Sequence, residues 1–161
     1  MNNLSYKIEI QDLPDIYTNC FKAILDGRET AYFFDIAGLD LSRTKAGIYP
    51  MLVCACGYVG CTGYYVEVDL TPKEVLWKRF WLQYVTAESP EPNSDEKEIE
   101  LTKTWNEGVK EFIVRPPLVF SRKDYDDLAN KIVATLPEYK YEKERYNSDL
   151  ERYQKGDRFH M

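Results

Sequence analysis

Tyr64, Val66, Val68 and Leu70 lie on one side of a period-two pattern, and Glu67 and Asp69 lie on the other. Such alternation is the signature of a half-buried strand. Thr71-Pro72-Lys73 supplies a turn. Val75 to Tyr84 then returns with Trp77, Phe80 and Trp81. The pattern predicts an antiparallel hairpin, and it restricts the fold more than any other stretch of the chain.

The rest of the chain is read around that hairpin. Leu4, Tyr6, Ile8 and Ile10 alternate with Ser5, Lys7 and Glu9, which predicts a first strand. Tyr17, Cys20, Phe21, Ile24 and Leu25 fit a helical stripe, but Asp26-Gly27 joins two apolar runs, Cys20–Leu25 and Ala31–Ile36. Asp-Gly between apolar runs favours a second hairpin. Gly38 to Pro50 reads as a connection with one helical turn, and Met51 to Cys56 as an apolar strand. Residues 86–100 hold two prolines and six acidic side chains, and read as a solvated loop. Val109 to Val114 is a short strand candidate, ended by Pro116-Pro117 and followed by Leu118-Val119-Phe120.

The C-terminal region, 121–156, reads as helical. Ser121 is the predicted N-cap, with Asp124 three residues on. Tyr125, Leu128, Ala129, Ile132, Val133 and Leu136 keep helical spacing, and Pro137 ends it. A second, highly charged helix is expected from Glu138 to Lys155, with a narrow stripe of Tyr139, Tyr146, Leu150 and Tyr153. The expected fold is α+β: a mostly antiparallel sheet built from hairpins, with one or two C-terminal helices packed on it, in one domain spanning 1–161.

Hydrophobic residues form 44% of the 161, enough for a proper core without disulfide staples. The net charge is −6, and no segment gathers a basic face. Nucleic-acid binding through phosphates is therefore disfavoured. The polar start MNNLSYKIEI does not read as a signal peptide, and no apolar run suffices for a membrane span. A cytoplasmic protein is expected, with its thiols mostly reduced.

Three of the four cysteines, Cys54, Cys56 and Cys61, fall in the run CACGYVGC with Gly57 and Gly60 between them. On a strand, Cys54 and Cys56 project to one face, and the glycines permit a turn that returns Cys61 toward them. Three convergent thiolates suit zinc, but a structural zinc takes four ligands. The fourth would be Cys20, the terminal His160, a carboxylate or water. Buried packing of small side chains and a redox role stand beside the metal reading.

His160 is the only histidine, so Ser-His-Asp and Cys-His mechanisms are not expected. There is no GxxxxGK[ST] loop and no HExxH. The carboxylates Glu67 and Asp69 read as a solvated strand face. Asp124, Asp126 and Asp127 read as favourable to a helix N-terminus.

Three blocks, LVCACGYVGC at 52–61, VLWKRF at 75–80 and PPLVFSRKDYDDL at 116–128, resemble a widespread group of uncharacterised bacterial proteins. The matching residues are Cys54, Cys56, Gly57, Gly60, Cys61, Trp77, Phe80, Phe120 and Tyr125. The resemblance implies a shared compact domain and carries no activity with it. The composition, small, acidic and rich in tyrosine, favours a non-catalytic module that binds a protein partner, of immunity or antitoxin type. The alternative is a thiol- or zinc-based site at Cys54, Cys56 and Cys61.

Overall fold

The computed structural model describes residues 1–10, 19–53, 63–82, 99–101 and 113–135. It is α+β, as expected. Among the described residues, nine strands and two helices follow in the order β1 (Leu4–Ile10), β2 (Asn19–Leu25), β3 (Arg28–Phe34), α1 (Ile36–Ser42), β4 (Gly47–Val53), β5 (Gly63–Leu70), β6 (Glu74–Leu82), β7 (Ile99–Glu100), β8 (Ile113–Val114), β9 (Leu118–Ser121) and α2 (Arg122–Thr135). Seven strands form one antiparallel sheet in the order β1-β2-β3-β4-β5-β6-β9. β7 and β8 make a separate two-stranded ladder.

The ambiguous run ending at Leu25 pairs as a hairpin. Asp26 and Gly27 both have positive φ, 52° and 77°, as a type I′ turn requires. The turn is also held from outside. Asn3 N–H donates to Asp26 Oδ1 at 2.7 Å, and Asn2 Nδ2 donates to Asp26 Oδ2 at 2.9 Å. Asn2 also reaches the opposite edge strand. Its N–H donates to Val119 O at 2.7 Å, and Val119 N–H donates to its Oδ1 at 2.9 Å. The sheet therefore curls until its two edges meet at one end, through a single parallel bridge from Asn2 to Phe120.

Three irregularities shape the sheet. On β6, Arg79 faces Glu67 and Trp77 faces Val68, so Lys78 is an extra residue. This bulge turns Trp77 and Phe80 to the same face, and each is 1% exposed. On β4, Pro50 faces Tyr65 and Leu52 faces Tyr64, which makes Met51 the extra residue. On β3, four steps from Phe33 to Glu29 match two steps on β2 from Lys22 to Ile24. Within that stretch the buried Thr30 hydroxyl donates to Ala23 O at 2.8 Å, and Ala31 N–H donates to Leu101 O at 2.9 Å.

The segment Gly38 to Pro50 differs from expectation. It holds most of a two-turn helix and the first half of β4, not a plain connection. The helix begins because Asp35 caps it, accepting from Gly38 N–H at 2.8 Å. Pro50 is tolerated within β4 because β3 pairs only with Leu52 and Val53, leaving α1 as the neighbour there. Among the described residues, one helix thus lies between β3 and β4 in the chain and the other, α2, follows the sheet. Ser121 does cap α2, accepting from Asp124 N–H at 3.4 Å.

Ile99 and Glu100, expected in a loop, form β7, and the strand expected from Val109 is seen as Ile113–Val114. The remainder of 86–98, and the second helix with Tyr139, Tyr146, Leu150 and Tyr153, lie outside the described residues. No helix among the described residues is long and apolar enough to cross a membrane.

The core runs from Phe21 and Leu25 through Tyr32, Met51, Val66, Trp77 and Phe120 to Ile132. α1 seals it by a close approach: a Cβ built on Gly38 would lie 1.6 Å from Pro50 O. Gly38→Ala is expected to destabilise the fold by about 1–3 kcal/mol or more. A urea titration reads this as a lower midpoint, and an unchanged midpoint would contradict the packing of α1 on β4.

Candidate functional site

Among the described residues, two gatherings of polar side chains bear on function: one in the core and one on the outer face of the sheet.

The inner one is centred on Tyr125. Trp77 Nε1 donates to its hydroxyl at 3.3 Å, and the hydroxyl lies 2.7 Å from Ser42 Oγ. Ser42 has one proton, and Leu39 O takes it at 2.7 Å. Tyr125 is therefore the donor to Ser42, and the chain runs Trp77 to Tyr125 to Ser42 to the α1 backbone. Met51 Sδ lies 3.8 Å from the phenol oxygen. Trp77 also meets Phe120, Phe80 and Tyr125 edge-on, with ring centroids 4.9, 6.1 and 6.4 Å away.

Trp77, Phe80, Phe120 and Tyr125 carry two of the three blocks behind the resemblance noted from sequence. They are distant in the chain and adjacent in space. Their hydrogen bonds end on backbone and none opens to solvent, so this cluster binds α2, β6 and α1 together.

Burial pushes the Tyr125 phenol far above the ordinary tyrosine range, against the smaller downward pull of the hydrogen bonds with Ser42 and Trp77. The unfolded chain ionises near pH 10 and the folded one higher. The contribution of Tyr125 to stability is therefore complete below about pH 10 and is lost as pH rises beyond it.

The outer place is a shallow hollow of about 480 Å³ between β4, β5 and β6. It is lined by Ala46, Gly47, Ile48, Glu67, Val68, Asp69 and Lys78. The β6 bulge puts Lys78 there, beside Asp69, with Nζ 3.8 Å from Oδ2. Arg79 Nε stands 3.2 Å from Glu67 Oε2, yet that oxygen is shut from solvent and makes no hydrogen bond. Glu67 and Asp69 were expected to be solvated; Glu67 is only half so.

Two other polar groups are structural. Arg43 pairs with the buried Asp40 and donates to Asn130 Oδ1 and Asp126 O, which ties α1 to α2. Asp35 caps α1. The spacing of Asp35 and Gly38 was a usable capping signal, whereas nothing local marked Ser42 or Met51.

Cys54, Cys56 and Cys61 lie outside the described residues, as does His160. Cys20 stands on β2 opposite Glu9. Val53 and Gly63, which flank residues 54–62, face each other in the β4–β5 ladder. Among the described residues, no three of His, Cys, Asp and Glu are grouped so as to hold a metal ion. The chain matches no family model, no curated protein and no solved structure in the comparisons made.

Tyr125→Phe leaves the Trp77 indole without its acceptor and Ser42 without its donor. It is expected to cost about 1–3 kcal/mol at neutral pH. It should also reduce the loss of stability above pH 10. Urea midpoints measured at pH 7 and pH 10.5 for both proteins check the two effects; equal losses at both pH values would count against the assigned role of the phenol.

Proposed function

We propose that this protein is a non-catalytic module that binds a basic protein partner, of the kind that immunity and antitoxin proteins exemplify. The observation that carries this reading is the Glu67 carboxylate, which lines the β4–β6 hollow with 30% of its side chain exposed and already pairs with the cation Arg79. An arginine or lysine from a partner would add a charge-assisted bond to the exposed part of this carboxylate, and such bonds are the strong ones. Asp69 stands beside it, and the net charge of −6 steers a basic partner inward. The hollow is wide and shallow, which suits a side chain presented by a protein surface.

The test is capture from the native host with the full chain as bait. A basic partner is expected to bind wild type, to weaken with salt, and to be lost from the double variant Glu67→Lys/Asp69→Lys. Because Glu67 pairs with Arg79 and Asp69 with Lys78, the fold of the variant is checked alongside by circular dichroism and a thermal melt. A bait that elutes alone, or a partner held equally by the variant, contradicts the proposal.

A second reading concerns Cys54, Cys56 and Cys61. Val53 and Gly63 are held opposite each other in the ladder, so the three thiols ride on a connection whose two ends are fixed together. That favours a shared thiolate site, with zinc as the fitting ion. Zinc recovered by elemental analysis, together with a lower melting temperature after chelation, is the expected result. A melt that chelator leaves unchanged, with no zinc present, sets this reading aside.

A further inference from the structure

The outer edge of β1 has the polarity of a strand built to pair with itself. Asp26 N–H donates to Asn3 O, toward β2, while Asn2 N–H donates to Val119 O, away from it. Odd residues of this strand therefore turn their backbone groups to β2, and even residues turn theirs outward. The β1–β2 register runs from Leu4↔Leu25 to Ile10↔Asn19 without a shift, so the parity holds along the strand. Asn2 alone uses the outer edge to reach β9. Beyond it, among the described residues, no strand pairs with β1 on that side.

Ile8 sits on this edge and is 47% exposed. Apart from Met1, it is the one large hydrophobic residue exposed among the described residues. The charges on the other face of β1 are ordered. Lys7 Nζ lies 3.2 Å from Glu29 and 3.7 Å from Glu9, and Lys22 reaches Glu9 at 3.4 Å. The row of alternating charge ends at Lys7 and Glu9, on the edge strand.

We propose that β1 pairs antiparallel with β1 of a second copy, about a two-fold axis through Ile8. In this register, Ile8 faces Ile8 of the partner subunit as a hydrogen-bonded pair, and Tyr6 faces the partner's Ile10. Lys7 faces the partner's Glu9, and Glu9 faces the partner's Lys7. These odd positions form the close, non-hydrogen-bonded pairs, where side chains interact most. The neighbouring registers lack this match. An axis through Lys7 sets lysine against lysine, and one through Tyr6 sets Lys7 against serine. The charges thus select one register and specify the occupant as a copy of the same chain. The surface is separate from the hollow on β4–β6, so the two can be occupied together.

Pairing a single edge belongs to the small, weak class of interface. Sedimentation of the full chain over a range up to about 100 µM is expected to show a monomer–dimer equilibrium. Lys7→Glu and Glu9→Lys, each alone, place like charges opposite one another at both symmetric contacts, and each should weaken the dimer about tenfold or more. Mixing the two variants restores opposite charges at both contacts, so the mixture should dimerise while neither component does. Ile8→Pro removes an outward N–H without touching the β1–β2 ladder, and should leave a folded monomer with an unchanged circular-dichroism spectrum. A wild-type monomer throughout the range overturns the proposal. So does a mixture that stays monomeric, or a dimer indifferent to Lys7→Glu and Ile8→Pro.

Discussion

The indole of Trp77 is the point on which the structure depends. It is held by one hydrogen bond, from Nε1 to the Tyr125 hydroxyl, and by edge-on contacts with three rings. In a dry core each polar group must be satisfied, since an orphan costs more than a made bond returns. The Tyr125 hydroxyl must accept from Trp77 and give to Ser42, and Ser42 must give to Leu39. These demands fix β6, α2 and α1 relative to one another. The Lys78 bulge follows from the same need, because a regular strand could not bury both Trp77 and Phe80.

That bulge has a second effect on the opposite side of the sheet. The residue it displaces outward is Lys78, which lines the hollow. Core packing and surface shape are thus set by one local irregularity. The carboxylates of Glu67 and Asp69 gain a defined setting because the strand beside them is out of step, and the reading of the hollow as a docking surface grows from that geometry.

Much of this fold could be read from the chain. Alternation at Tyr64–Leu70, the Asp26-Gly27 turn and the helical spacing from Tyr125 to Ile132 are local patterns, and local physics decides them. β4 was harder. Proline within a strand is tolerated there only because β3 stops pairing before it and α1 fills the place, which are tertiary facts. The bulge left a trace in the spacing of Trp77 and Phe80, two buried aromatics three apart in a strand. The site was less legible. Glu67 and Asp69 fit any solvated face; the hollow they line is shared with residues 46–48, some twenty positions earlier and brought near only by strand pairing. The links between Tyr125 and Ser42, 83 residues apart, have no local signature at all.

The Asn2 latch sets a condition on how the chain reaches this state. Its partner Val119 lies 117 residues further on, and Asp26 is held by Asn2 and Asn3 together. On a ribosome, the β2–β3 hairpin can form early, but the edge beside it cannot close until β9 has emerged. Contacts so distant in sequence slow folding, because the entropy of the intervening loop is lost before they repay it. Until then, the Asn2 end of β1 and the outer edge of β6 stay open to other strands. Such a chain is most vulnerable to mispairing during synthesis.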